Sequence, residues 1–201
     1  TVAEYYNRFT PADARAKNAS AYMISNFGNP AGYQVGQQFA PGGTTALQDR
    51  NGAPLVFTPV VTMITAGATL ETAGIRGMKY IPDAANIGSP ENDYVLMRYS
   101  DALLMRAEAI LRGGTGSAGT VLADLAARAG TAAAPNTLEG IYAERGRELW
   151  WEGWRRNDMI RFGKFLEIKA LKPYVSNAKF ALFPIPAGAL LNPNIKQNPG
   201  Y

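Results

Sequence analysis

The sequence predicts a mainly α-helical fold: antiparallel helix pairs joined by small loops, with long irregular segments and little β structure. Three observations point that way. Between about residues 100 and 162, apolar side chains recur at helical spacing in four short, Ala-rich runs, each followed by glycine. Before residue 92 the chain is dense in Gly, Asn, Pro, Thr and Gln, as in Asn26-Phe27-Gly28-Asn29-Pro30 and Pro41-Gly42-Gly43-Thr44-Thr45, which is turn and loop punctuation. From Lys172 onward it is irregular again. Short helices on small loops stack as antiparallel neighbours, as in helical-repeat proteins. No 34-residue self-similarity supports a measured repeat.

In chain order, residues 11–27 contain a helix with Ala14, Ala16, Ala19, Tyr22 and Met23 on one side, and residues 55–64 form a short extended run that Pro59 keeps off a central strand. So long a stretch with so little regular structure packs on something else or carries function. The first helix of the second half starts at Ser100 as N-cap, with Asp101 in its first turn and Leu103, Leu104, Ala107, Ile110 and Leu111 on its apolar side. Gly113-Gly114 ends it. The next spans residues 117–129, with Val121, Leu122, Leu125 and Ala126 inward and Gly130 as the stop. The third spans 137–153 and carries Leu138, Ile141, Tyr142, Arg145, Leu149 and Trp150. The fourth spans 154–162, before Gly163. In the tail, Pro184 and Pro186 flank Ile185 and impose an extended path. The whole, 1–201, reads as one domain, with a loop-rich segment over 1–92 and a helical segment plus extended tail over 93–201.

Composition narrows the chemistry. The 201 residues are 47% hydrophobic and 18% charged, which is globular. Histidine and cysteine are both absent. That excludes a Ser-His-Asp triad, a Cys-His pair, a His or Cys metal site and a histidine base. Catalysis would fall to carboxylates, Lys, Tyr or a metal on oxygen ligands. The net charge of +4 keeps a protein soluble and does not argue for nucleic acid. No apolar stretch reaches the roughly 18–20 residues of a membrane span. The start at Thr1 has no signal-peptide pattern and reads as processed or trimmed, with any targeting segment upstream.

Four sets of residues could carry chemistry. Glu144, Glu148 and Glu152 fall at i, i+4, i+8 on the third helix, with Arg145, Arg147, Arg155, Arg156 and Arg161 at hand. They are either a carboxylate pair for glycoside hydrolysis or an ion-pair network pinning the helix to its neighbours. The network is favoured, since a hydrolase sets its carboxylates across a cleft. Glu152 with Arg156 and Arg145 with Glu148 are the expected pairs. Trp150, Trp151 and Trp154 are either a sugar platform or packing, and helical spacing favours packing. Glu108, on a Leu-rich face, is expected to be buried and paired with Arg98 or Arg106. The loop aromatics Tyr22, Phe27, Tyr33 and Phe39 lie among Asn26, Asn29, Gln34, Gln37 and Gln38, and rings beside neutral amides suit stacking and hydrogen bonding to a carbohydrate. The candidate ligand residues are Tyr22, Asn29, Tyr33, Gln34 and Phe39. No phosphate-loop, dinucleotide or EF-hand spacing is present, and no metal or cofactor is expected.

Three segments, in order, resemble the SusD/RagB family. Residues 94–109 carry Arg98, Asp101 and Ala107-Glu108-Ala109. Residues 141–165 carry Glu144-Arg145-Gly146-Arg147-Glu148-Leu149, Glu152-Gly153, Arg155-Arg156, Asp158 and Arg161-Phe162-Gly163. The tail carries Phe183-Pro184-Ile185-Pro186, Asn192-Pro193-Asn194 and Gln197-Asn198-Pro199-Gly200-Tyr201. The Tyr5-Asp13-Arg15 region fits more loosely. Trp154, Asn157 and Gly188-Ala189 depart from the pattern. The resemblance implies the C-terminal portion of a fold built on TPR-like helix pairs with long loops. It implies a lipoprotein on the outer surface of the outer membrane of Bacteroidota, membrane-bound only through a lipid anchor in a preceding segment. It implies an oligosaccharide or other nutrient ligand, no enzymatic activity, and a SusC-like TonB-dependent transporter as partner. Arg98, Glu108, Glu144, Arg147, Glu148, Arg155 and Asp158 then have structural roles. The rival reading is a helical-repeat scaffold that binds only protein.

Overall fold

The computed structural model describes residues 3–63, 67 and 69–201. Two compact units divide the chain, 1–154 and 155–201. Unit 1 opens with α1 (Ala3–Tyr6), β1 (Lys17–Asn18), α2 (Ala21–Phe27), β2 (Ala31–Gln34), β3 (Gly36–Gln37), β4 (Val56–Phe57), α3 (Thr69–Thr72) and β5 (Arg76–Met78). It closes with the longer helices α4 (Tyr99–Leu111), α5 (Ala118–Ala129) and α6 (Leu138–Glu148). The fold is mainly α, with small sheets only.

The helices lie where apolar spacing puts them, and their ends differ for local reasons. α4 begins at Tyr99, not after a Ser100 cap. Arg98 occupies the N-cap position without a side-chain cap bond. The Ser100 hydroxyl instead accepts from Arg98 Nη1 at 2.6 Å. α5 has Ser117 at its N-cap and Gly130, at φ 68°, at its C-cap, and it buries Val121, Leu122, Leu125 and Ala126. In α6 the Thr137 side chain accepts from Gly140 N. α6 stops at Glu148, short of the expected 153. Trp151 and Gly153 take left-handed backbones at φ 67° and 79°, which reverse the chain. For a bulky residue such as Trp151 that conformation costs on the order of 1–2 kcal/mol. The cost is borne because the reversal carries Glu152 back toward Glu148, as described below.

α4 packs on both α5 and α6. The core between them holds Leu104 and Ala107 of α4, Val121, Leu122, Leu125 and Ala129 of α5, and Ile141 and Tyr142 of α6. Within residues 11–27 only Ala21–Phe27 is helical, capped by Ser20. Ala14, Ala16 and Ala19 lie outside it. Of the extended run at 55–64 only Val56–Phe57 is strand, and Ile64 lies outside the described residues.

The sheet structure was not legible in the sequence. β2 is the middle strand of a three-stranded antiparallel sheet, β1-β2-β5, with Lys17 opposite Gly32 and Gly32 opposite Met78. Gly32, at φ 99°, is required by close approach: a Cβ there would sit 2.3 Å from the Ala16 carbonyl oxygen. Tyr33, expected on a loop, is therefore a strand residue and only 3% exposed. Its ring stacks on Trp150 at 4.4 Å and meets Phe9 edge-on at 5.3 Å. With Ala16 and Ile75 these form a second core. Trp150 is a packing residue, whereas Trp151 is 63% exposed.

Unit 2 contains α7 (Arg155–Arg161) and two 3-10 turns, Ala178–Ala181 and Ala189–Leu191. Asp158 is buried and accepts from Arg161 at 2.9 Å. The prolines around Ile185 lack N–H groups, so no strand ladder can form there. Gln197 replaces a strand partner: Ile185 N donates to its Oε1 at 2.8 Å, and its Nε2 donates to Ile185 O at 3.0 Å. Asn198 Nδ2 donates to Phe183 O, and the Tyr201 hydroxyl to Leu182 O. The two tail motifs are thus the halves of one side-chain-to-backbone clasp.

The burial of Tyr33 sets a test. Tyr33→Ala should cost about 3–5 kcal/mol of unfolding free energy, as for other buried aromatic truncations, while Tyr33→Phe should cost under about 1.5 kcal/mol, as a near-isosteric change. Urea unfolding of the two variants gives the comparison.

Candidate functional site

Two features of unit 1 stand out: a buried charge network at the end of α6, and a cleft along the small sheet.

Glu148 is the hub of the network. It is 1% exposed. Its Oε1 accepts from Arg98 Nη1 at 2.6 Å and from Arg128 Nη2, and its Oε2 accepts from Arg15 Nη1 at 2.9 Å. Its backbone carbonyl accepts from Lys79 Nζ at 2.8 Å. Lys79 also donates to Trp150 O at 3.1 Å, so it satisfies carbonyls that the end of α6 leaves without helical partners. Arg15 reaches back to Asp13 at 2.7 Å and to Glu144 at 2.6 Å. Arg147 pairs with Glu144 at 2.5 Å. Glu152 accepts from Arg98 Nε through both oxygens at 2.9 Å and from Lys79.

The electrostatics follow from this geometry. Burial alone would raise the Glu148 pKa. The hydrogen bonds of Arg98 and Arg15, with the charges of Arg98 and Arg128, more than offset it and bring the pKa from 4.5 to about 2. Burial likewise opposes the charged state of Arg15 and Arg98, yet their carboxylate partners raise both pKa values. Lys79 is lowered, first by burial and then by the Arg98 charge, with Glu152 and Glu148 opposing.

The three glutamates sit in a network of ion pairs, with partners that differ from the expected ones. Glu152 is not on the helical face of Glu144 and Glu148. Arg145, expected beside Glu148, reaches Asp101 of α4 at 2.7 Å, with both side chains buried. Glu108 is buried and accepts from Arg112, one turn on, at 2.9 Å, while Arg98 pairs with Glu148 and Glu152. The three glutamates sit among cations and do not face each other across an open cleft, so the geometry of a glycoside hydrolase is absent here. Sequence reasoning missed Lys79 and Arg128, which come from a loop and from the far end of α5. Neither position carries a local pattern that announces the role.

The cleft has a volume of about 530 Å³, within the roughly 300–1,000 Å³ of small-ligand sites. Of the five candidate ligand residues it brings together Asn29, Tyr33, Gln34 and Phe39, joined by Tyr6, Lys17, Val35 and Gln37. Tyr22 does not line it. Its hydroxyl donates to Pro82 O at 3.3 Å and accepts from Ala84 N at 2.9 Å, tying down the 82–84 segment. Asn29 is committed to the backbone: its amide nitrogen donates to Phe27 O and Phe39 O, and its oxygen accepts from Phe39 N. Gln34 donates to Pro30 O, and Gln37 donates to Gln38 O and Leu47 O, which leaves the side-chain oxygens of both without a partner among the described residues. Burial, then the neighbouring Tyr5, push the ionisation of the Tyr33 hydroxyl well up, so it stays a neutral donor. The cleft thus offers a ring at Phe39, amide acceptors and one lysine, with no carboxylate in its lining. Among the described residues no helix is long and apolar enough to cross a membrane.

Comparison with known proteins places this architecture. The family model described as the SusD family matches residues 2–201. The chain belongs to the SusD/RagB family. The starch-binding protein SusD of Bacteroides thetaiotaomicron is 34% identical over 123 residues, covering 56% of this chain and 22% of that SusD. The surface glycan-binding protein A of the same species superposes with a TM-score of 0.58 at 26% identity, covering 98% of this chain and 40% of that protein. Its complex with laminarihexaose, matched at 23% identity and a TM-score of 0.56, shows the same fold. The chain thus spans less than half the length of these SusD relatives, which are named as binding proteins and not as enzymes.

The depressed pKa of Glu148 fixes a pH dependence. A group whose folded pKa lies below its unfolded value stabilises above the unfolded value, and that contribution is lost as pH falls toward the folded one. The chain should therefore lose roughly 3 kcal/mol of stability between pH about 4.5 and about 2 through Glu148. Glu148→Gln, which removes a carboxylate from Arg15, Arg98 and Arg128, should cost about 1.5–3 kcal/mol at pH 7 and flatten that acid limb. Denaturant titrations at stepped pH measure both.

Proposed function

We propose that this chain is part of a cell-surface protein that binds glycan without turning it over. The observation that carries the reading is the family match across residues 2–201. The names of two relatives, a starch-binding and a surface glycan-binding protein, support glycan as the ligand class. The cleft on the small sheet is our candidate for a contact surface. Phe39 supplies a ring for the apolar face of a pyranose, and the free oxygens of Gln34 and Gln37, the Tyr33 hydroxyl and Lys17 supply hydrogen bonds to its hydroxyls. Tyr22 would contribute only by ordering the neighbouring loop, and Asn29 by holding Phe39 in place.

The same reading carries the rest of the family setting as proposals: a place on the outer face of the outer membrane, attachment through a lipid outside these 201 residues, and a SusC-like TonB-dependent transporter that receives the ligand. Arg98, Glu108, Glu144, Arg147, Glu148, Arg155 and Asp158 act in it as scaffold.

A glycan panel with starch and laminarihexaose, read by affinity electrophoresis and calorimetry, tests the reading. At least one glycan should bind without being cleaved. Phe39→Ala should weaken that binding about tenfold, the loss of one stacking anchor, with unfolding unchanged within about 1.5 kcal/mol because the ring is only part-buried. Binding of a protein partner with no glycan bound at millimolar concentration would favour the scaffold reading. Binding that ignores Phe39, Gln34 and Gln37 together would move the contact surface away from this cleft.

A further inference from the structure

The network around Glu148 is short of one negative charge. Its connected members are the cations Arg15, Lys79, Arg98, Arg128 and Arg147 and the carboxylates Asp13, Glu144, Glu148 and Glu152. Five positive against four negative leaves +1. The surplus is concentrated in one place. A hollow of about 200 Å³ is lined by Arg15, Lys79, Tyr80, Arg98, Arg128 and Glu148, so four cations border it with a single carboxylate. Both oxygens of that carboxylate are already taken by guanidinium groups.

Donors remain at the hollow, while acceptors do not. Arg128 is 54% exposed and makes one hydrogen bond, through Nη2, which leaves the rest of its N–H fork without a partner among the described residues. Lys79 has spent its ammonium on Glu148 O, Trp150 O and Glu152, so it adds charge and no donor. Tyr80 sits at φ 59°, a left-handed backbone that an aromatic residue adopts only under constraint, and this holds its ring at the rim.

We propose that this hollow binds one oxyanion group of carboxylate or sulfate size, held by the free fork of Arg128 in the field of Arg15, Lys79 and Arg98, with the Tyr80 ring at the rim. A planar guanidinium fork suits such a group through paired N–H bonds, and the neighbouring cations add to the attraction. The lowered pKa of Lys79, caused by burial and then by Arg98, fits a pocket with too few anions. The overall charge of +4 favours approach of an anion. The hollow and the 530 Å³ cleft share no lining residue, so the proposal does not rest on glycan binding at the cleft. The anion can come free in solution or as the acidic group of a sugar.

Calorimetry and thermal melting of the whole chain, at fixed ionic strength in chloride, distinguish these. The probes are sodium sulfate, methyl glucuronide and the neutral methyl glucoside. Sulfate, glucuronide or both should bind and raise the melting temperature, with the glucoside inert. Sulfate alone identifies a free-anion site, and glucuronide alone identifies an acidic sugar. Arg128→Gln should weaken binding at least tenfold, and Arg50→Gln, whose side chain pairs with Glu71 at the surface, should leave it unchanged. If Arg128→Gln does not fold, Arg128→Lys provides the second reading: it keeps the charge, removes the fork and should reduce binding severalfold. Failure of both anions to bind beyond matched chloride, or undiminished binding in whichever of the two variants folds, overturns the proposal.

Discussion

One buried carboxylate organises unit 1. Glu148 draws in Arg15 from the N-terminal segment, Arg98 from the start of α4 and Arg128 from the end of α5, while its carbonyl receives Lys79 from the loop after β5. Segments more than 130 residues apart are thereby fixed to a single side chain. Ion pairs of this kind are weak evidence for net stability, because taking charges out of water costs several kcal/mol each. Their strength lies in geometry. A slip of α6 by one residue would turn Glu148 away and take from Arg15, Arg98 and Arg128 the one carboxylate they share. The network therefore sets register where apolar contacts alone would tolerate several arrangements.

The same constraint accounts for the end of α6. Continuing the helix to residue 153 would have kept Glu152 on the Glu144–Glu148 face, stacking a third carboxylate on two others. The left-handed turn at Trp151 and Gly153 carries Glu152 instead to Arg98 and Lys79. It also separates the tryptophans, so that Trp150 enters the Tyr33 core and Trp151 does not. A strained backbone, a buried aromatic stack and a charge network are thus consequences of one reversal of the chain.

What the sequence revealed divides along contact range. Helix positions in 99–161 were readable because their apolar spacing is local, and the inward set of α5 is the one observed. The tail motifs were recognisable as a pattern, though not as a clasp, since Gln197 and Ile185 meet only after folding. The three-stranded sheet was hidden: its strands are two to four residues long, and Gly32 looks like loop punctuation when it is in fact demanded by the Ala16 carbonyl. The candidate ligand residues are hidden in the same way. Tyr33 and Gln34 read as loop in the sequence, yet their strand holds them in a wall, where packing and hydrogen bonding to Pro30 use much of what each side chain offers.

That division bears on how a binding surface can vary while the fold stays fixed. The charged hub and the tail clasp tie together segments far apart in the chain, so a change in either takes partners from a buried carboxylate or leaves a backbone amide unpaired. The cleft is built differently. Asn29 and Gln34 bind the backbone through their amide nitrogens and shape the wall, while Phe39, Gln37, Lys17 and Val35 line it without anchoring other elements through charge. Substitutions among these last four alter what the wall presents and leave the hub untouched. Where the cleft serves as the contact surface we propose, ligand preference can drift on a scaffold whose register is set by Glu148, which is the physical condition for one fold to serve many ligands.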